Sequence, residues 1–203
     1  MTPRPEPIDA IPDLEPRDHT AIGPDMGQLA PFIPADPAAF AHLDLAWYDR
    51  VRRRFEAYGF RHLGDYDAPA DACDHTWQPL LVRALVSRDG TVTVSLSAPQ
   101  LQGFARRVTH TLLGTLPRPV VACTTACTDG TLVHTSNGPA DGAPSLPSLR
   151  DVRWLAPRTS PEDVYATHTA RVTAHLRARP GVRPLVVRTA DAWWASEARR
   201  RGR

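Results

Sequence analysis

The residues that first suggest chemistry are two cysteines and a histidine, Cys123, Cys127 and His134, on either side of a predicted turn. Thiolates and imidazoles are common zinc ligands, and a two-residue turn would put all three on one face of a hairpin. Residues four apart on a regular strand are separated by about 13 Å, whereas two thiolates on one zinc ion need sulfur–metal bonds of about 2.3 Å. That separation also excludes a disulfide. We therefore expect two small buried thiols, no metal site and no cofactor.

A second candidate site lies on a helix predicted to begin at Ser160-Pro161. His168 belongs to the apolar stripe of this helix, so its imidazole should face the sheet. A histidine on an apolar face is usually a packed, hydrogen-bonded residue, and a general base or a ligand-binding group is the alternative. Arg171 follows one turn later and could bind an anion. If His134 pointed toward His168, a polar pocket would form between sheet and helix, so His134, His168 and Arg171 are the candidate ligand-binding residues.

A loop between the first two predicted strands carries a third group of polar residues. Its members are Asp65, Asp67, Asp71, Cys73, Asp74 and His75. Their spacing does not match a calcium loop, which needs oxygen ligands at alternate positions around a central glycine. The spacing favours a solvated acidic loop.

The C-terminal segment combines two tryptophans with an arginine-rich end. Neighbouring side chains on a helix point about 100° apart, so at least one of Trp193 and Trp194 should be exposed as an anchor for a partner. Arg199 and Arg200 stand just before two further arginines, and such a cluster would attract phosphate. Short basic tails are also often only solubilising. We predict that these four residues contact a partner.

Composition limits the classes of function. All 24 basic residues are arginine, and the net charge of +2 is too small to indicate nucleic acid or an anionic membrane. Three cysteines, an odd number, favour a reducing compartment over a disulfide framework. No apolar run approaches 18 residues, and the N-terminus lacks the pattern of a secretory signal. We therefore expect a cytoplasmic protein without membrane contact.

The chain divides into three predicted parts. Residues 1–36 form a proline-rich, largely disordered arm, since nine of the 21 prolines fall in residues 1–37. Residues 37–188 form the folded domain, and 189–203 form a C-terminal helix with an arginine-rich end. The first helix should begin at Asp36-Pro37, which suit a helix cap and first position, and should end at Gly59.

The rest of the domain alternates strands and helices. Predicted strands cover 60–66, 80–88, 91–98, 120–128, 131–136, 152–155 and 182–188, and predicted helices cover about 101–112, 161–179 and 189–201. The order favours an α+β fold: an antiparallel sheet of five to seven strands, packed by helices mainly on one face.

Two predicted Asp-Gly hairpins set the register of that sheet. A two-residue Asp-Gly loop is a strong local signal, because both of its central residues need positive φ. The first loop would place Leu85 opposite Val94, and the second would place Thr125 opposite His134. One face of the first hairpin is then apolar, with Leu81, Leu85, Val92, Val94 and Leu96, while the other is half-polar.

The chain resembles uncharacterised domains of high-GC bacteria over about residues 45–175. The residues that carry this are Gly59-Phe60, Leu63-Gly64-Asp65, two Asp-Gly-Thr turns, Thr135-Ser136-Asn137, and His168 with Arg171 after Ser160-Pro161. The resemblance implies no activity, and no residue role follows from it.

No sequence motif names a reaction. The chain lacks a glycine-rich phosphate loop, a nucleophile elbow, a Cys-x-x-Cys pair and a His-Glu-x-x-His helix. We therefore predict a non-catalytic module that binds another protein. Two alternatives stay open: a small enzyme or small-molecule binder near His168, and nucleic-acid binding through the tail together with Arg50 and Arg52–Arg54 of the first helix.

Overall fold

A computed structural model describes residues 33–68, 80–101, 108, 111–113, 117–138 and 150–200. In this part of the chain the strands are β1 (Ile33–Pro34), β2 (Arg61–Ala68), β3 (Leu80–Val86), β4 (Thr93–Ser97), β5 (Val120–Ala126), β6 (Leu132–Ser136) and β7 (Arg150–Trp154). The longer helices are α1 (Leu45–Ala57), α2 (Pro161–Ala178) and α3 (Ala190–Arg200). The strands form one sheet in chain order, antiparallel except for the parallel pair of β6 and β7. The predicted α+β class is confirmed.

Both faces of the sheet carry a hydrophobic core. On the first face, α1 contributes Tyr48, Val51 and Phe55, and α2 contributes Val164. They pack on the apolar face predicted for β3 and β4, which carries Leu81, Leu85, Val92, Val94 and Leu96. On the second face, α3 and the segment before it cover β2 and β3. The helices are therefore split between the faces, with the larger core under α1 and α2.

The first predicted helix is interrupted. Pro37–Phe40 form a short 3-10 helix that Asp36 caps through the amide of Ala38. The α-helix starts only at Leu45, where the carboxylate of Asp44 accepts a hydrogen bond from the amide of Trp47. An aspartate inside a helical pattern competes for backbone amides in this way and restarts the helix.

Other boundaries follow local chemistry more closely. Gly59 has a φ of +87° directly after the first helix, as its predicted role in ending the helix requires. Ser160 caps α2 by accepting a hydrogen bond from the amide of Asp163. The folded part begins earlier than predicted, because β1 pairs with β2 and so belongs to the sheet. Residues 1–32 of the predicted arm lie outside the described residues.

The connection between β3 and β4 keeps the predicted register. Leu85 lies opposite Val94, although the turn bond runs from the amide of Gly90 to the carbonyl of Ser87. The carboxylate of Asp89 accepts hydrogen bonds from the amide and the hydroxyl of Thr91. The Asp-Gly-Thr sequence is therefore held by its own side chains.

The connection between β5 and β6 has a different register from the predicted one. Cys127 donates its amide hydrogen to Thr131, so three residues, 128–130, separate the paired positions. His134 consequently lies opposite Thr124 instead of Thr125. A slip of one residue moves every side chain of a strand to the other face, so the predicted facing of His134 is wrong.

The predicted last strand, 182–188, is absent from the sheet. Its backbone amides bond to one strand end and one turn: Leu185 donates to Ala126, the last residue of β5, and Val187 donates to Gly90 in the connection between β3 and β4. Only Pro184 forms a bridge, with Cys127. The β-branched residues of this segment predicted a strand, but the segment crosses the ends of strands instead of running beside one.

Candidate functional site

His168 is enclosed between α2 and the sheet. Its Nε2 lies 3.0 Å from Thr125 Oγ1, and its Nδ1 lies 3.1 Å from Thr135 Oγ1. The Thr125 hydroxyl donates to the carbonyl of Thr91, so it accepts from Nε2–H. The Thr135 hydroxyl accepts a hydrogen bond from Arg171 and can donate its own hydrogen to Nδ1. This network assigns the neutral imidazole with its hydrogen on Nε2.

Burial fixes the charge state of His168. The side chain has no exposed surface, and this burial, assisted by the positive charge of Arg171, lowers its pKa to about 3. A general base must reach the proton that it removes. Because its imidazole is buried and both ring nitrogens are hydrogen-bonded, His168 is a packed core residue. This geometry does not favour a small-molecule pocket around it.

His134 and Arg171 do not complete such a pocket. His134 lies on the opposite face of the sheet from His168, with its Nδ1 2.9 Å from Thr124 Oγ1 and its ring against Trp154. The guanidinium of Arg171 donates to the carbonyls of His134 and Asp151 and pairs with the Asp151 carboxylate. Arg171 thus links α2 to β6 and β7, and its charge is already matched.

The buried imidazole predicts a pH-dependent stability. An unfolded histidine has a pKa of about 6.5, so between that pH and about 3 the unfolded chain binds a proton that the folded chain does not. The free energy of unfolding should fall as the pH falls, by up to about 1.4 kcal/mol per pH unit. His168→Gln should remove about 1 kcal/mol of the loss between about pH 6 and pH 5 in urea titrations. His42→Gln, at an exposed position, is the control; an equal slope in both variants would contradict the assignment.

The predicted partner contacts at the C-terminus separate into two kinds. Trp193 is only 1% exposed and packs with Tyr66, Val82 and Val86 in the second core, so its role as an external anchor is wrong. Trp194 is partly buried against the same cluster. Arg199 and Arg200 lie in α3, with side chains outside the described part of the chain.

An ion-pair cluster that the sequence did not single out is the most buried charge in the described residues. Arg83 is 6% exposed on the first face, where its guanidinium forms two hydrogen bonds to Asp65 and one to Asp49. Burial alone would raise the pKa of Asp65, but hydrogen bonds from His62 and Arg83 outweigh it and hold the pKa below its usual value. The sequence could have indicated this cluster, because Arg83 occupies an inward-facing position of an apolar strand.

That cluster changes the interpretation of the acidic loop. Asp65 lies in β2 with its side chain 8% exposed, so it is a paired structural carboxylate and not a solvated one. Asp67 is also in β2. The remaining members, Asp71, Cys73, Asp74 and His75, lie outside the described residues.

The arginines of α1 are largely paired. Arg50 contacts Asp44, Arg52 contacts Asp49 and Glu56, and Arg54 contacts Glu162. Exposed pairs of this kind contribute little stability, but they reduce the positive potential that a phosphate backbone would need. The helix offers no support for nucleic-acid binding.

Three metal-binding side chains meet at the end of the connection between β5 and β6. One ligand atom from each of Cys127, Asp129 and His175 lies within 4.8 Å of the other two. Cys127 and the side chain of His175 are buried, and Asp129 also pairs with Arg179 at 2.7 Å. Strand spacing excluded a metal site of Cys127 with Cys123 and His134, and it gave no indication that Asp129 and His175 lie beside Cys127.

Comparisons with protein-family models, curated proteins and solved structures gave no match. Within the described residues, no helix has the length and apolarity needed to cross a bilayer.

Proposed function

We propose that this chain is a non-catalytic protein-interaction module that binds its partner through exposed leucines near residue 112. The observation that carries the proposal is the exposure of two adjacent large apolar side chains, Leu112 at 82% and Leu113 at 68%. Single exposed leucines are common, but grouped apolar side chains mark contact surfaces.

The contrast with the sequence pattern strengthens this proposal. Leu101, Val108 and Leu112 recur at helical spacing, which predicts that they share a buried stripe. Leu101 is buried at 3%, whereas Val108 is 39% exposed and Leu112 is the most exposed large apolar side chain among the described residues. The apolar pattern therefore exceeds what the domain itself buries.

The buried polar residues also support a non-catalytic role. His168, the best candidate for a general base, is sealed in the core, and Arg171 is matched by Asp151. A protein partner fits an apolar contact surface, since burying a leucine contributes about 1.5–3 kcal/mol.

The double variant Leu112→Glu, Leu113→Glu tests the proposal. A protein that co-purifies with the wild-type chain should be identified, and its dissociation constant should then be measured. We expect the double variant to weaken that affinity at least about 100-fold, because two buried leucines are lost. Ile33→Glu is the matched control, since Ile33 is an exposed apolar residue at 61% on β1.

Circular dichroism should show unchanged folding for both variants, because all three positions are exposed. A partner that binds the wild type, the double variant and the control with equal affinity would refute this contact surface. The proposal is also refuted if no protein binds the wild-type chain more tightly than it binds the double variant.

A further inference from the structure

The cluster of Cys127, Asp129 and His175 contains an unsatisfied buried nitrogen. The side chain of His175 is 7% exposed, and its Nε2 has no hydrogen-bond partner in the described part of the chain. This atom faces Asp129 Oδ2 at 3.5 Å, in a geometry that is not a hydrogen bond. A buried polar nitrogen without a partner is costly, so it requires an explanation.

We propose that Cys127, Asp129 and His175 bind a zinc ion that ties α2 to the connection between β5 and β6. Sulfur, imidazole nitrogen and carboxylate oxygen are the three protein ligand types that zinc takes. Bonds of about 2.0–2.3 Å in a tetrahedron place ligand atoms about 3.5 Å apart. The three atoms already lie within 4.8 Å of one another, so small side-chain movements close the site.

The backbone makes this arrangement possible where the two-cysteine site was not. Only one cysteine is needed: Cys127 directly follows β5, and Asp129 returns toward it within the three-residue turn. The imidazole comes from a different element, since His175 lies in the last turns of α2. Three protein ligands leave the fourth position of the tetrahedron to water, which is the pattern of open zinc sites and not of closed four-ligand structural sites.

The protonation states of Cys127 and Asp129 determine how many protons zinc binding releases. Burial, with the negative charge of Asp129, raises the pKa of the Cys127 thiol to about 11, despite the opposing effect of Arg179. A bound zinc ion displaces this proton, so thiolate coordination releases one proton per ion. The amide and hydroxyl of Thr131 and the guanidinium of Arg179 lower the pKa of Asp129 to about 2 against the effect of burial, so it is already a carboxylate.

Arg179 is compatible with the site. The metal-free thiol and carboxylate carry one negative charge, whereas zinc with one thiolate and one carboxylate sums to zero. Binding therefore weakens the attraction between Asp129 and the guanidinium but places no net positive charge beside it. The side chain of Arg179 is 52% exposed and donates to Asp129 Oδ2, the same oxygen that faces His175 Nε2. It can keep its bond to a carboxylate oxygen and orient that ligand from outside the coordination sphere.

The test uses the full chain and cobalt(II) as a spectroscopic substitute for zinc. Titration should produce a near-ultraviolet thiolate-to-cobalt charge-transfer band at one ion per chain, and zinc should abolish the band by displacing cobalt. Zinc should also raise the melting temperature of the apoprotein. We expect Cys127→Ala to lose the band and His175→Gln to weaken zinc affinity at least about 100-fold.

The other cysteines supply the controls. Cys123→Ala and Cys73→Ala should keep the band, and far-ultraviolet circular dichroism should establish that each variant is folded. The proposal is overturned if the wild-type chain gives no charge-transfer band, if Cys127→Ala keeps it, or if folded His175→Gln binds zinc as tightly as the wild type.

Discussion

Trp193→Ala is expected to cost about 3–5 kcal/mol of unfolding free energy, the usual loss for a large aromatic side chain removed from a core. The indole is 1% exposed, and its ring lies 4.8 Å from that of Tyr66. It is the fully buried residue of α3 in the apolar cluster that joins this helix to the second face of the sheet. Urea titration followed by circular dichroism measures the loss without relying on tryptophan fluorescence.

Trp194→Ala is the matched control, because it removes the same side chain from the next position of the same helix. Trp194 is only partly buried, so we expect less than half of the Trp193 effect. Equal losses would show that α3 docks differently.

The burial of Trp193 also affects how a partner-binding surface should be located. Deleting residues 190–203 would remove a core residue, so point substitutions on the surface are the better test of binding.

Asp65→Ala is expected to lower the free energy of unfolding by about 3–5 kcal/mol. The substitution removes the carboxylate that accepts two hydrogen bonds from the buried guanidinium of Arg83. Asp49→Ala removes a carboxylate from the same guanidinium, but the Asp49 side chain is 44% exposed. Its loss should cost no more than about 1 kcal/mol. Because both variants remove one negative charge, a difference between their free energies of unfolding reports the effect of burial. Unfolding titrations measure that difference.

The double variant Arg83→Met, Asp65→Leu extends this test. Replacing a whole buried ion pair with apolar residues of similar size is often neutral or stabilising, whereas removing one partner is not. We therefore expect the double variant to recover most of the stability that Asp65→Ala loses. A double variant as unstable as Asp65→Ala would show that the pair contributes a net attraction beyond avoiding an unpaired charge.

Local chemistry explains what could be predicted about the fold. The apolar alternation of β3 and β4 predicted the buried face, and Leu85 does lie opposite Val94. Ser160 and Gly59 marked helix boundaries, because caps and left-handed glycines act within a few residues. These effects involve neighbours in the chain, so the sequence alone contains them.

The candidate site shows where such local reasoning stops. Asp-Gly-Thr occurs in both connections, yet three residues separate the paired positions between β5 and β6. The one-residue change of register moved His134 away from His168 and so removed the predicted pocket. A turn motif that fits more than one loop length cannot choose between them without the strands that it joins.

The sequence by itself determined the α+β class, the main apolar face and most element boundaries, because periodicity and capping are short-range properties. The tertiary structure alone decided three pairings between distant residues. It buried Trp193 against Tyr66, paired Arg83 with Asp65, and brought His175 to Cys127 and Asp129. The energies of these contacts depend on burial and on distance in space, and spacing along the chain fixes neither.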